Sequence, residues 1–139
     1  MQKTYSQIKP KDFDIEKADE SGMSTVLFFD NIEEIQTEED TLYSYYMYKI
    51  KVPSRPNLEQ TIEQQYFKWL EKAKDETKKE LSTKIREKRN KLLAETDWTH
   101  VTDSALSKEE KEKYKVYRQE LRDITKQEGF PFDVEFPSM

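Results

Sequence analysis

The sequence predicts an α+β fold: a small amino-terminal antiparallel β-meander, one long central α-helix, and a carboxy-terminal helical hairpin with an extended aromatic tail. Three observations predict it. β-branched and aromatic residues dominate two stretches before Pro53. No proline or glycine then occurs from Asn57 to Glu128. Finally, Gly129 and Pro131 close the helical pattern among phenylalanines at positions 130, 132 and 136. Charge divides the chain in the same way. Residues 1–56 carry a net −4, residues 57–94 a net +3, and residues 95–139 a net −4. These read as a β-rich region, a helical connecting rod, and a terminal helix plus tail that forms one module with residues 86–94.

Composition bounds what such a chain can do. Charged residues make up 38% of the 139 positions and apolar residues 34%. A typical domain has about 25% charged residues. The apolar share cannot fill the core of a compact ball, so part of the chain is expected to be extended, solvated or buried against a partner. Full disorder is opposed by the 12% aromatic content, since disordered chains are poor in aromatics. The absence of cysteine excludes disulfides, zinc–thiolate sites and cysteine nucleophiles. The run Val26 to Phe29 is far shorter than the ~20 apolar residues of a membrane span. The stretch Met1-Gln2-Lys3-Thr4-Tyr5 has no apolar leader core, so the cytoplasm of the producing cell is the expected location. A net charge of −5 and a pI near 5.1 argue against nucleic acid as the partner.

The elements follow in order. Ser24 to Phe29 has strand composition. Asp30-Asn31 reads as a turn, a second strand as running to Thr37, and Glu38-Glu39-Asp40 as a loop. Leu42 to Val52 reads as a long strand. One face carries Leu42, Ser44, Tyr46, Tyr48, Ile50 and Val52, and the other Tyr43, Tyr45, Met47, Lys49 and Lys51. Two readings stand for the second face: it packs on a helix, or Tyr43, Tyr45 and Met47 dock a partner. Tyrosine suits an interface because it is large and keeps a polar tip.

Pro53 and Pro56 end the strand. Asn57 with Gln60 has the spacing of a capping box, and helix formers then run to about Ala94, a rod of roughly 55 Å at 1.5 Å per residue. Its first half is broadly apolar and is expected to lie on the sheet. Leu70, Ala73, Leu81 and Ile85 leave a narrow seam along it. Either the second half is a solvated rod or that seam joins copies in a dimer or trimer. The basic run Lys84 to Lys91 reads as a charged helix face, because no aromatic interleaves it as base stacking requires. Ser107 with Glu110 has the spacing of a second capping box, opening a helix to about Lys126 with a stripe of Tyr114, Tyr117, Leu121 and Ile124. Gly129 reads as the cap that stops it.

No catalytic constellation emerges. His100 is the single histidine and no second one completes a metal set. Gly22 and Gly129 are the only glycines, which excludes a glycine-rich phosphate loop. The carboxylates sit among lysines at helical spacings, as solvated pairs do. No catalytic, cofactor or metal residues are expected, and the chain is expected not to be an enzyme.

The carboxy-terminal residues carry a resemblance. Arg89-Asn90-Lys91-Leu92-Leu93-Ala94-Glu95-Thr96-Asp97-Trp98, then Tyr117-Arg118-Gln119-Glu120-Leu121-Arg122-Asp123-Ile124, Gly129-Phe130-Pro131 and the closing Phe136-Pro137 stand in the order and spacing of bacteriophage tail-fibre assembly proteins and tail assembly chaperones. The resemblance spans roughly residues 86–137, with Phe136 where the family often has tryptophan. It implies binding to a tail-fibre or baseplate protein during morphogenesis in the bacterial host. The alternative is a minor tail, baseplate or fibre-attachment component retained in the virion. Independently of the family, Leu92, Leu93, Trp98, Tyr114, Tyr117, Leu121 and Phe130 read as the core of the module. Arg118 and Arg122 are expected to bind Asp97 or tail carbonyls, the alternative being contact with a partner.

Overall fold

The structure, a computed structural model, describes residues 3–139. Met1 and Gln2, part of the stretch read above for a leader, lie outside them. The chain forms two compact units, one ending at Lys79 and the other running from Glu80 to Met139. The α+β class holds.

The first unit is built on a four-stranded antiparallel sheet. Its strands are β1 (Thr4–Ser6), β2 (Phe13–Ile15), β3 (Met23–Gln36) and β4 (Thr41–Pro53), in the order β1-β4-β3-β2. β3 and β4 make a long hairpin closed at Thr37–Asp40, where the Thr37 amide donates to the Asp40 carbonyl at 2.9 Å. Asp30-Asn31 is a bulge and not the expected turn. The register passes from Asp30 opposite Tyr46 to Glu33 opposite Ser44, so β3 holds one extra residue. Asn31 takes φ 54°, a conformation asparagine tolerates better than most residues. The same chemistry that suggested a turn thus serves to keep one strand going. β1 and β2 lie in what reads from sequence as a polar lead-in. Their three-residue spans offer too little pattern to detect.

Helices α1 (Leu58–Gln64) and α2 (Tyr66–Glu95) follow. Gln65 interrupts the expected single rod, with φ −132° and ψ 40°. No glycine or proline announces the break. It falls beside Tyr66, whose ring sits in a cluster with Phe28 at 5.8 Å and Phe13 at 6.3 Å, so packing overrides local propensity there. Asn57 precedes α1 but its side chain makes no cap hydrogen bond, so that expected capping box does not form. The core joins Val26, Phe28 and Val52 of the sheet to Leu58, Ile62, Leu70 and Ala73 of the helices.

The second unit contains the end of α2, a 3-10 turn at Asp97–His100, α3 (Lys108–Arg122), a second 3-10 turn at Ile124–Lys126 and the tail. Ser107 caps α3 in a reciprocal box: its hydroxyl accepts from the Glu110 amide at 3.2 Å, and the Glu110 carboxylate accepts from the Ser107 amide at 2.8 Å. α3 ends at Arg122, short of Gly129. Gly129 therefore has another task. A Cβ there would collide with the Asp133 carbonyl, in a turn where the Asp133 amide donates to the Gly129 carbonyl at 2.7 Å.

Candidate functional site

The two surfaces singled out from the sequence, the β4 face and the seam along α2, are each divided once folded. The helices pack on the β4 face that carries Tyr48, Ile50 and Val52. The opposite face is covered in part by the chain itself. The β1–β2 connection passes from one edge of the sheet to the other, and Ile8 and Pro10 line a groove with Phe29 and Tyr45. Tyr45 is buried, with its ring edge-on to Phe29 at 5.3 Å. Most of its ring is thus spent on packing, and little of it is left at the surface. Tyr43 is half-buried, and Met47 is exposed.

The proposed oligomer seam divides likewise. Leu70 and Ala73 lie in the core of the first unit, so they are spent on the sheet and cannot face a second copy. Leu81 and Ile85 are half-buried in the second unit. Further along the same helix, Thr77 does what the sequence did not announce. Its hydroxyl accepts from the Lys49 amide at 3.2 Å and donates to the Lys49 carbonyl at 3.4 Å. A helix side chain thereby satisfies two backbone groups of β4, a strand that β1 pairs only along residues 43–45.

In the second unit the motif residues converge on Arg118. This side chain is buried, with the residue only 5% exposed. It donates to the Leu93 carbonyl at 2.6 Å, to the Thr96 hydroxyl at 2.8 Å and to the Asp97 carboxylate at 2.8 Å. Thr96 in turn donates to the Leu92 carbonyl at 2.9 Å. The last turn of a helix leaves carbonyls without intrahelical partners, and the guanidinium answers that of Leu93 while pairing a carboxylate. Tyr117 and Leu121 of α3 and Ile124 of the turn after it are buried, as are Thr99 and Pro131.

Leu92, Leu93, Tyr114 and Phe130 are half-buried around this centre. Trp98 is half exposed, with its ring edge-on to Tyr114 at 5.7 Å. It lies at the margin of the module, not in its centre. Arg122 is exposed and is not the partner of Asp97.

The basic run on α2 holds the tail. The Arg86 guanidinium lies 5.9 Å from the Phe130 ring centre, and the Lys88 ammonium 4.1 Å from that of Phe136. Gln127 fastens the same tail from the other side: its amide donates to the Glu135 carbonyl at 2.7 Å and accepts from the Glu135 amide at 2.9 Å. Among the described residues no cluster of His, Asp or Glu has metal-site geometry, and no helix is long and apolar enough to cross a membrane.

These contacts make the second unit a folded module whose signature residues are consumed in holding its own fold. Residues 82–139 match the family model of the phage tail assembly chaperone protein, extending at both ends the resemblance read over residues 86–137. The match supports a role in phage tail assembly, which is carried out in the host cell or in the virion. No curated protein and no solved structure matches the chain.

Proposed function

We propose that the protein is a non-enzymatic assembly chaperone, which binds a tail-fibre or baseplate protein in the cytoplasm of the bacterial host during morphogenesis. The observation that carries this reading is the match of residues 82–139 to the phage tail assembly chaperone family. The architecture supports a binding role. The polar signature residues Arg118, Thr96 and Asp97 bond to one another and to backbone. Apolar side chains are meanwhile left at the surface: Trp98, Val101, Val116 and Met139 are each at least half exposed. Self-association as a dimer or trimer belongs to the same proposal, with Leu81 and Ile85 as the part of the seam still eligible.

Co-expression with a tail-fibre or baseplate protein of the same phage, followed by pull-down and light scattering, tests the reading. A defined complex and a larger soluble fraction of the fibre protein are expected. If neither solubility nor trimerisation of the fibre protein changes, the reading fails. Retention in purified particles, found by mass spectrometry without any effect on fibre solubility, would favour a structural tail component instead.

A further inference from the structure

The outer face of α3 meets the tail in a groove of about 540 Å³, whose floor includes Val116, Tyr117 and Met139. Val116 is 51% exposed and Met139 65%. Glu109, Glu112 and Glu120 line the same groove, against one cation, Lys113. A second groove of similar volume shares Glu120 and Ser138 with the first and adds Glu135, Phe136 and Pro137. Asp123 also lines it, but its carboxylate is already paired with Lys126 at 2.8 Å. Discounting Asp123, four carboxylates and one ammonium line the two grooves, with Val116, Tyr117 and Met139 as the apolar lining of the first and Phe136 and Pro137 that of the second.

We propose that this double groove is where the module docks its client, and that the docked segment carries lysine or arginine beside apolar anchors. The proposal rests on the chaperone reading above and adds the surface and the partner's chemistry. Charge complementarity selects the occupant. An acidic rim repels acidic segments and draws basic ones, while the apolar floor supplies the affinity. A second copy fits less well. The basic run that could enter from another copy has Arg86 and Lys88 against Phe130 and Phe136, and Lys84 is paired with Glu80 at 2.6 Å.

The test uses the full chain and a synthetic 16-residue amphipathic peptide with leucine anchors and lysine flanks. A control peptide has glutamate at every lysine position. Titration is followed by the methyl resonances of Val116 and Met139 and by fluorescence anisotropy. The lysine peptide is expected to shift both methyls and to bind at least tenfold more tightly than the glutamate peptide. Glu112→Lys with Glu120→Lys is expected to reverse that preference, and Val116→Glu to abolish binding, with the circular dichroism of each variant unchanged. Equal binding of the two peptides, shifts that avoid Val116 and Met139, or no binding would overturn the inference. A wild-type dimer that Val116→Glu dissociates would overturn it too, since the occupant would then be a second copy. Co-expression separates the two layers. A client complex that survives Val116→Glu removes this groove and keeps the chaperone reading, whereas no complex with wild type removes the reading itself.

Discussion

At the scale of single residues, the second unit depends on Arg118 more than on the carboxylate it pairs with. Asp97 keeps a side chain 67% exposed to solvent, so water can replace its partner, and exposed pairs are worth about 0–1 kcal/mol. The buried guanidinium also bonds the Leu93 carbonyl at 2.6 Å and the Thr96 hydroxyl at 2.8 Å, and the Thr96 amide and hydroxyl reach that carbonyl only at 3.2 Å. Arg118→Met is therefore expected to cost about 2–3 kcal/mol, in the range for hydrogen bonds to a charged group left unmade, and Asp97→Asn under about 1 kcal/mol. Urea unfolding of the two variants checks the order. Equal losses would mean that the ion pair, not the carbonyl bonding, holds the turn.

Asp19 makes a residue-scale prediction about pH. The Ser21 hydroxyl and then the Met23 amide hydrogen-bond its carboxylate, holding its pKa at about 2 against an ordinary 3.8. The folded state thus favours the ionised form. Its contribution is present above the unfolded value and is lost as pH falls from about 4 through 2. The difference in urea midpoint between wild type and Asp19→Asn should be constant above about pH 5 and shrink across that acid window. A difference that stays the same down to pH 2 would show that the charge is not what the loop uses.

At the scale of elements, caps show how a sequence pattern can be right at one site and misleading at another. Ser107 and Asn57 both stand three residues before a residue able to complete a box. Only Ser107 has extended backbone geometry, with ψ 163°, that turns its side chain to the helix amides. Asn57 sits at ψ 17°, with no side-chain bond. Ser107→Ala should cost about 1 kcal/mol and Asn57→Ala much less. Thermal denaturation of both variants would settle it, and comparable losses would contradict the geometry.

The same principle explains which elements could be read from sequence. Long strands, the helical rod and α3 carried enough residues for period and composition to speak. The bulge at Asn31, the break at Gln65 and the short strands β1 and β2 are decided by what the chain meets elsewhere. So is the fate of Tyr45, covered by a connection that the sequence reads as polar lead-in. Arg118 was legible because its partner Asp97 stands in the same motif. The groove was not: Val116 falls off the Tyr114–Tyr117–Leu121 stripe and reads as an isolated apolar residue among charges.

At the scale of the whole molecule, the low apolar share is divided between two centres that have no residue in common. Phe28 belongs to the cluster of the first unit, and Leu121 to the buried set of the second. Both are fully buried, so truncation to alanine is costly in either place: about 3–5 kcal/mol for Phe28→Ala and 2–5 kcal/mol for Leu121→Ala. If the units are separate cooperative bodies, each loss stays local. Native-state hydrogen exchange on Leu121→Ala should show faster exchange in α3 and the Asp97–His100 turn, with the β3–β4 amides as protected as in wild type. Phe28→Ala should show the converse. Only α2 contributes to both units, so its middle amides alone should respond to either variant. Uniform loss of protection through the chain would mean that α2 couples the units into one folding body. A client docked on the second unit would then stabilise the sheet as well. Confined losses would mean that the second unit can open and close without the sheet taking part.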